Sequence, residues 1–185
     1  MMEQSRVITV FGSGRPKEGD AEYEAARELG MKLASAGFAV CTGGYGGVME
    51  AVSRGAREAG SLAIGVTANF FARSANPWID EEVRVERWQD RLFTLIERGD
   101  GFIVCPGGTG TLAELGVVWE MLNKGVMSCK PIIALGEFWR PIVERVREVE
   151  LDSNSVWGEQ QRALVRIVSN ADNAVAALIA HFQNR

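Results

Sequence analysis

Three short apolar runs in this chain each stop at a cluster of glycines, and that arrangement leaves few folds open. Val7-Ile8-Thr9-Val10-Phe11 stops at Gly12-Ser13-Gly14, and Phe38-Ala39-Val40-Cys41-Thr42 stops at Gly43-Gly44-Tyr45-Gly46-Gly47. Ile103-Val104-Cys105 stops at Pro106-Gly107-Gly108-Thr109-Gly110-Thr111. Near-continuous apolar runs of this length are strands covered on both faces, the condition of a parallel sheet. Helical patterns of about ten to fifteen residues separate them, as parallel strands require. The spacing predicts an α/β chain: a Rossmann-like, doubly wound parallel sheet with helices on both faces. A length of 185 residues suits a single domain over 1–185 with one full core.

The intervening elements follow from periodicity. Ala25, Leu29, Leu33 and Ala36 predict the buried side of a first helix that Gly37 ends. Val48, Ala51, Val52 and Ala56 do the same for a helix from about Gly47 to Ala59, ahead of a strand Leu62 to Val66. Thr67 to Pro77 has no sustained period and holds Phe70 and Phe71, which suits either a mobile segment beside a site or a surface loop packing on a second subunit. A strand is expected over Glu81 to Glu86, then a helix over Arg87 to Arg98 with Leu92, Leu95 and Ile96 inward and Arg91 at the margin. Leu112, Leu115, Trp119 and Leu122 form one stripe of the helix after Pro106, with Glu114 off it. Pro131 to Leu135, Phe138 to Val149 (with Trp139, Ile142, Val143 and Val146), a break from Asp152 to Ser155, Val165 to Val168 and Asn170 to Phe182 complete the alternation. His181 reads as a solvent-facing helix residue.

Ligands of such sheets bind beyond the carboxyl ends of the strands, so all three glycine clusters are expected on one edge. The strand-turn-helix from Ile103 to Glu114 suits an anion best. Glycines at 107, 108 and 110 permit positive φ and remove Cβ atoms, and a helix start presents unpaired N–H groups with a partial positive charge. Glu114 has two readings. Thr111-Leu112-Ala113-Glu114 fits a capping box, in which the glutamate serves only the helix end, or the carboxylate faces a ligand.

Other cofactor chemistries fail on particular residues. Gly12-Ser13-Gly14 is followed by Arg15-Pro16-Lys17, so the third glycine of a dinucleotide fingerprint is missing, and the second strand ends in Thr42 where that fingerprint needs an acid. No G-K-[ST] occurs, a single histidine excludes a multi-histidine metal site, and none of Lys17, Lys32, Lys124 and Lys130 is placed as a Schiff-base lysine. No cofactor and no metal are expected.

Pro106-Gly107-Gly108-Thr109-Gly110-Thr111-Leu112-Ala113-Glu114, with Arg91 fifteen positions before Pro106, resembles the P-G-G-x-G-T-x-x-E signature and upstream arginine of the LOG family. That family comprises nucleoside 5′-monophosphate phosphoribohydrolases of the cytokinin-activating type, labelled in older usage as possible lysine decarboxylases. The similarity takes in Phe11 to Gly14 and Thr42 to Glu50. It implies hydrolysis of the N-glycosidic bond of an AMP-like or N6-modified nucleotide, with Glu114 catalytic and Arg91 its partner. The nucleotide is expected on Gly12, Ser13, Gly43, Gly44, Gly107, Gly108, Thr109, Gly110 and Thr111. It also implies a homodimer, for which the Trp119 region would serve. A related group with the same fold binds molybdenum cofactor, leaving a carrier as the alternative. Trp88, Leu92, Thr109 and Ala113 depart from common family residues, which opens the identity of the base.

Composition sets the remaining bounds. A formal net charge of -4 gives no basic field for nucleic acid. No apolar run reaches membrane-spanning length and Met1 to Arg6 has no hydrophobic leader, so a cytoplasmic location is expected. Three cysteines without a CxxC pair read as reduced thiols.

Overall fold

A computed structural model describes residues 5–152 and 164–183. The expected break at 153–155 lies outside them. The elements are β1 (Val7–Phe11), α1 (Ala21–Ser35), β2 (Ala39–Thr42), α2 (Val48–Glu58), β3 (Ala63–Ala68), β4 (Glu81–Val85) and α3 (Trp88–Arg98). They continue as β5 (Gly101–Val104), α4 (Thr109–Asn123), β6 (Ile132–Leu135), α5 (Arg140–Asp152), β7 (Val165–Val168) and α6 (Ala171–Gln183). All strand pairings are parallel, in the order β4-β3-β2-β1-β5-β6-β7. This is the doubly wound, Rossmann-like α/β sheet that the spacing predicts.

Strand residues alternate between two cores, as a period of two demands. Ile8, Val10, Val40 and Ile103 pack with Leu29 and Leu33 of α1, Val52 of α2 and Leu178 of α6. Phe11, Cys41, Phe102 and Val104 pack on the other face with Leu95 of α3, Leu115 of α4 and Val143 of α5. The chain winds outward from β1 in one direction through β2 to β4, then returns to place β5 on its other side. The change of direction between β1 and β5 makes the carboxyl ends of these central strands the edge where ligands of such sheets bind.

Several expectations shift in register. The buried side of α1 is Tyr23, Ala26, Leu29, Gly30 and Leu33, and Ala25 is exposed. Tyr23 anchors that face from the first turn, and Ala26, one position after the alanine chosen from spacing, takes the buried place. Leu112 is also exposed, because α4 buries Thr111, Leu115, Val118 and Leu122 instead. Ile142 and Val146 of α5 face outward while Trp139 and Val143 are buried. β3 runs on to Ala68, so the segment without period is shorter than expected and begins with a single 3-10 turn, Asn69–Phe71. His181 is half-buried with its ring against Phe182. No helix of the described residues is long and apolar enough to cross a membrane.

Candidate functional site

The three glycine loops meet on one rim. Ser13 donates its N–H to the Pro106 carbonyl at 3.2 Å, and Val48 donates to the Ser13 carbonyl at 2.8 Å. The loops after β5, β1 and β2 are thereby joined edge to edge. Gly47 makes the last join possible: it has φ +71°, and a Cβ there would lie 2.4 Å from the Ser13 carbonyl oxygen. Behind the rim, Trp139 donates its indole N–H to the Cys105 carbonyl at 3.0 Å, fixing the strand end that feeds the Pro106 turn.

α4 starts at Thr109 with Gly108 as N-cap and no side-chain cap. Thr111 is therefore the third helical residue and Glu114 the sixth, so the capping box does not form. None of Gly107, Gly108 and Gly110 takes positive φ, contrary to expectation. Their other property matters. A Cβ on Gly108 or Gly110 would meet no protein atom within 4 Å, so the bare backbone faces open space, whereas one on Gly107 would strike the Thr111 hydroxyl at 2.2 Å. Thr111 is buried and Thr109 exposed. In front of the helix start lies a cleft of 470 Å³ lined in part by Ser13, Arg15, Gly107, Gly108 and Phe138, with the acidic Asp20 and Glu22 also in its lining. Arg15 is the one cation among the described residues lining it, and the sequence reading passed over it except as a break in a dinucleotide motif.

Arg91 enters from α3. It is buried at 7% exposure, not marginal as its position beside Leu92 suggests. Its Nε donates to the Val66 carbonyl at 2.8 Å and its Nη2 to the Gly43 carbonyl at 3.0 Å, with Met49 Sδ 3.8 Å from Nη2. The guanidinium also lies 5.4 Å from the Tyr45 ring centroid and 5.6 Å from that of Phe71. Gly43 is required for this: a Cβ there would fall 1.7 Å from Nη2. The remaining nitrogen, Nη1, lies 3.9 Å from Glu114 Oε1. That is an ion-pair distance and too long for a direct hydrogen bond.

Glu114 lies one and a half turns into α4, with its side chain 15% exposed. Burial raises its carboxyl from 4.5 to about 7, and the Arg91 charge opposes the rise without cancelling it. Burial also lowers the Arg91 guanidinium, against the pull of Glu114. A carboxyl poised near neutrality beside a buried cation is suited to exchanging a proton or facing a developing positive charge.

Most of the expected binding residues thus share the rim. Gly12 packs against Val48 and Ser13 bridges two loops, Gly43 receives Arg91, and Gly44 holds φ +74° while its carbonyl accepts the Asn76 N–H at 2.8 Å. Tyr45, Met49 and Phe71 surround Arg91; sequence reasoning gave no role to the first two and placed Phe71 only in a segment beside a site or against a second subunit. Tyr45 sits inside a glycine cluster and was visible there. The Met49 and Phe71 contacts cross between elements and leave no local signal.

The model of the SLOG cluster4 family matches residues 5–165. A cytokinin riboside 5′-monophosphate phosphoribohydrolase of Mycobacterium marinum is 31% identical over 173 residues, 92% of this chain and 91% of the relative. A pyrimidine/purine nucleotide 5′-monophosphate nucleosidase of Escherichia coli K12 is 33% identical over 116 residues, covering 56% of this chain and 26% of the relative. Among solved structures, the molybdenum cofactor carrier protein of Chlamydomonas reinhardtii has a TM-score of 0.74 at 21% identity, covering 98% of this chain and all of that one. At that identity the likeness shows the fold alone.

Proposed function

This chain belongs to the SLOG cluster4 family, and from that membership and the site geometry we propose that it is a LOG-type hydrolase cleaving nucleoside 5′-monophosphates. The substrate is AMP or an N6-modified AMP, and the products are the free base and ribose 5-phosphate. One observation carries the reading: a buried carboxylate raised to about 7, facing a buried arginine, lies on the same helix whose start leaves the backbone of Gly108 and Gly110 bare.

In this reading the 5′-phosphate rests on the amides of Gly108, Thr109 and Gly110, with the Thr109 hydroxyl and Arg15 beside them. Five helical steps, a rise of about 7.5 Å, carry the chain from Thr109 to Glu114, so the phosphate seat and the carboxylate belong to the same two turns of α4. As the bond from C1′ to the base nitrogen breaks, positive charge builds on the ribose, and ionised Glu114 stabilises it electrostatically. Water supplies the new oxygen on C1′ and gives one proton to Glu114, the departing base nitrogen takes a proton from solvent, and Glu114 returns its proton to solvent, so that the water's two hydrogens are balanced between the C1′ hydroxyl and the base. Arg91 keeps a useful fraction of Glu114 ionised, because without that charge burial would push the carboxyl higher still.

The reading includes a homodimer in the cytoplasm. Trp119 is buried within the protomer, so the two-fold contact falls to an outward stripe such as Ile142, Val146 and Val149 on α5. Light scattering should give twice the 20.2 kDa chain mass. The functional test is incubation with AMP, CMP, GMP, UMP, IMP and N6-prenyl-AMP, with ribose 5-phosphate quantified by chromatography. Release that vanishes in Glu114→Gln is expected. Nucleotide or molybdopterin binding with no release from any substrate would replace the hydrolase with a carrier.

A further inference from the structure

Beside Arg91 the molecule has a second feature that the chemistry at Glu114 does not use. A groove of 540 Å³ is lined by Asn69, Phe70, Glu86, Arg87, Trp88 and Gln89. One bank is the 3-10 turn that follows β3, and the other is the start of α3. Asn69 donates its side-chain N–H to Glu86 at 2.7 Å and so ties the banks together. Each bank carries an aromatic ring with substantial exposed surface: Phe70 is 71% exposed and Trp88 37%.

The groove connects to the reacting pair through direct neighbours. Trp88 lies three residues before Arg91 and therefore on the same side of α3. Phe70 meets Phe71 edge to face at 5.3 Å, and Phe71 in turn meets Tyr45 at 5.6 Å and flanks the Arg91 guanidinium. This aromatic series is held from behind. Tyr45 Oη donates to the Ala68 carbonyl at 3.1 Å and accepts the Ala68 N–H at 2.9 Å, and Ala72 closes the turn at φ +46°. Two aromatics that line one groove on a braced turn and a helix start, beside the proposed glycosidic-bond site, suit an occupant with a flat apolar face.

The geometry points to this groove as the base subsite, in which Phe70 and Trp88 take the nucleobase by its faces. The inference rests on the phosphoribohydrolase reading for the position of the ribose. Its content is the mode of selection. Asn69 is engaged by Glu86, and the Arg87 guanidinium is held by Asp90 at 2.7 and 2.9 Å, which leaves Gln89 to read a base edge. Recognition by stacking with so little edge reading admits purines and pyrimidines alike, favours the larger purine face, and leaves room for a substituent on N6.

The test is calorimetric titration on the Glu114→Gln background, where substrate is not consumed, with AMP, CMP and ribose 5-phosphate as ligands. Phe70→Leu and Trp88→Leu should each weaken AMP binding about 10- to 100-fold, with a smaller loss for CMP. Ribose 5-phosphate affinity should stay within about twofold, and Trp88→Phe should restore most of the AMP affinity. AMP affinity unchanged in both leucine variants overturns the clamp, as does an equal loss for ribose 5-phosphate, which would mark a general distortion. The hydrolase reading fails separately, if wild-type protein releases ribose 5-phosphate from no nucleotide while the titrations still show the clamp.

Discussion

Replacing Arg91 by methionine should move the acid limb of the pH-rate profile rather than only lower the rate. Glu114 titrates at about 7 in the folded protein, and the proposed step needs it ionised, so wild-type activity should fall about tenfold per pH unit below that value. The Arg91 charge 3.9 Å away favours the ionised form. Coulomb's law at an effective dielectric of 20 gives about 4 kcal/mol for such a pair, or about three pH units as an upper bound. With side chains 9% and 15% exposed, screening by water is partial, and a shift of about one to three units is expected. Arg91→Met should therefore carry the limb from about 7 to between about 8 and 10. Initial rates of ribose 5-phosphate release from pH 5 to 10 measure it, with circular dichroism to confirm that the Gly43 and Val66 carbonyls tolerate losing their donor. Arg91→Lys keeps a charge and should leave the limb within about one unit of 7 while kcat falls. A limb that stays at 7 in a folded methionine variant would refute the coupling and leave Arg91 as a structural brace alone.

Other expectations concern the rim and the same carboxyl. Gly110→Ala should raise stability by up to about 1 kcal/mol, since the position is helical and open, yet weaken binding of ribose 5-phosphate; denaturant unfolding and calorimetry on one sample check both halves. Gly47→Ala combines a left-handed φ with a backbone collision and should destabilise by about 2 to 4 kcal/mol in the same unfolding assay. Glu114 is raised on folding, so the native state holds its proton more tightly and its contribution to stability declines as pH rises from 4.5 to about 7. The stability of Glu114→Gln relative to wild type should accordingly increase across that window, as thermal melts at pH 5 and 8 would show. Trp139→Phe removes the donor to the Cys105 carbonyl and should cost about 1 to 2 kcal/mol, read by urea unfolding.

The order of strands and helices was legible because its signals are local: β-branched runs, glycines at their ends, and helical spacing between them. Even the convergence of three loops could be inferred, since parallel strands place all their carboxyl ends on one edge. Phase within a helix was harder. Ala25 and Leu112 fit a stripe by spacing, and each lost to a neighbour whose burial depends on what lies across the interface, Ala26 and Thr111 respectively. The depth of Arg91 was out of reach for the same reason. A guanidinium beside Leu92 reads as surface until the carbonyls of Val66, in β3, and Gly43, in the loop after β2, are brought to it. Glu114 could not be assigned between cap and site from Thr-x-x-Glu alone, because the distinction depends on where α4 begins, and Gly108 sets that start.

The bonds from Ser13 to Pro106, from Val48 to Ser13, and from Asn76 to Gly44 have a thermodynamic consequence. Loops usually surrender conformational entropy when a ligand fixes them. Here the loops are already stitched to one another by main-chain bonds. The amide protons of Ser13 and Asn76 should exchange with solvent slowly for residues outside strands and helices, and little slower when a nucleotide is present, in contrast to the Gly108 to Gly110 amides that take the phosphate. A ligand settling on this rim meets a surface whose ordering was completed during folding, so its affinity reflects its contacts with little deduction for assembling the site.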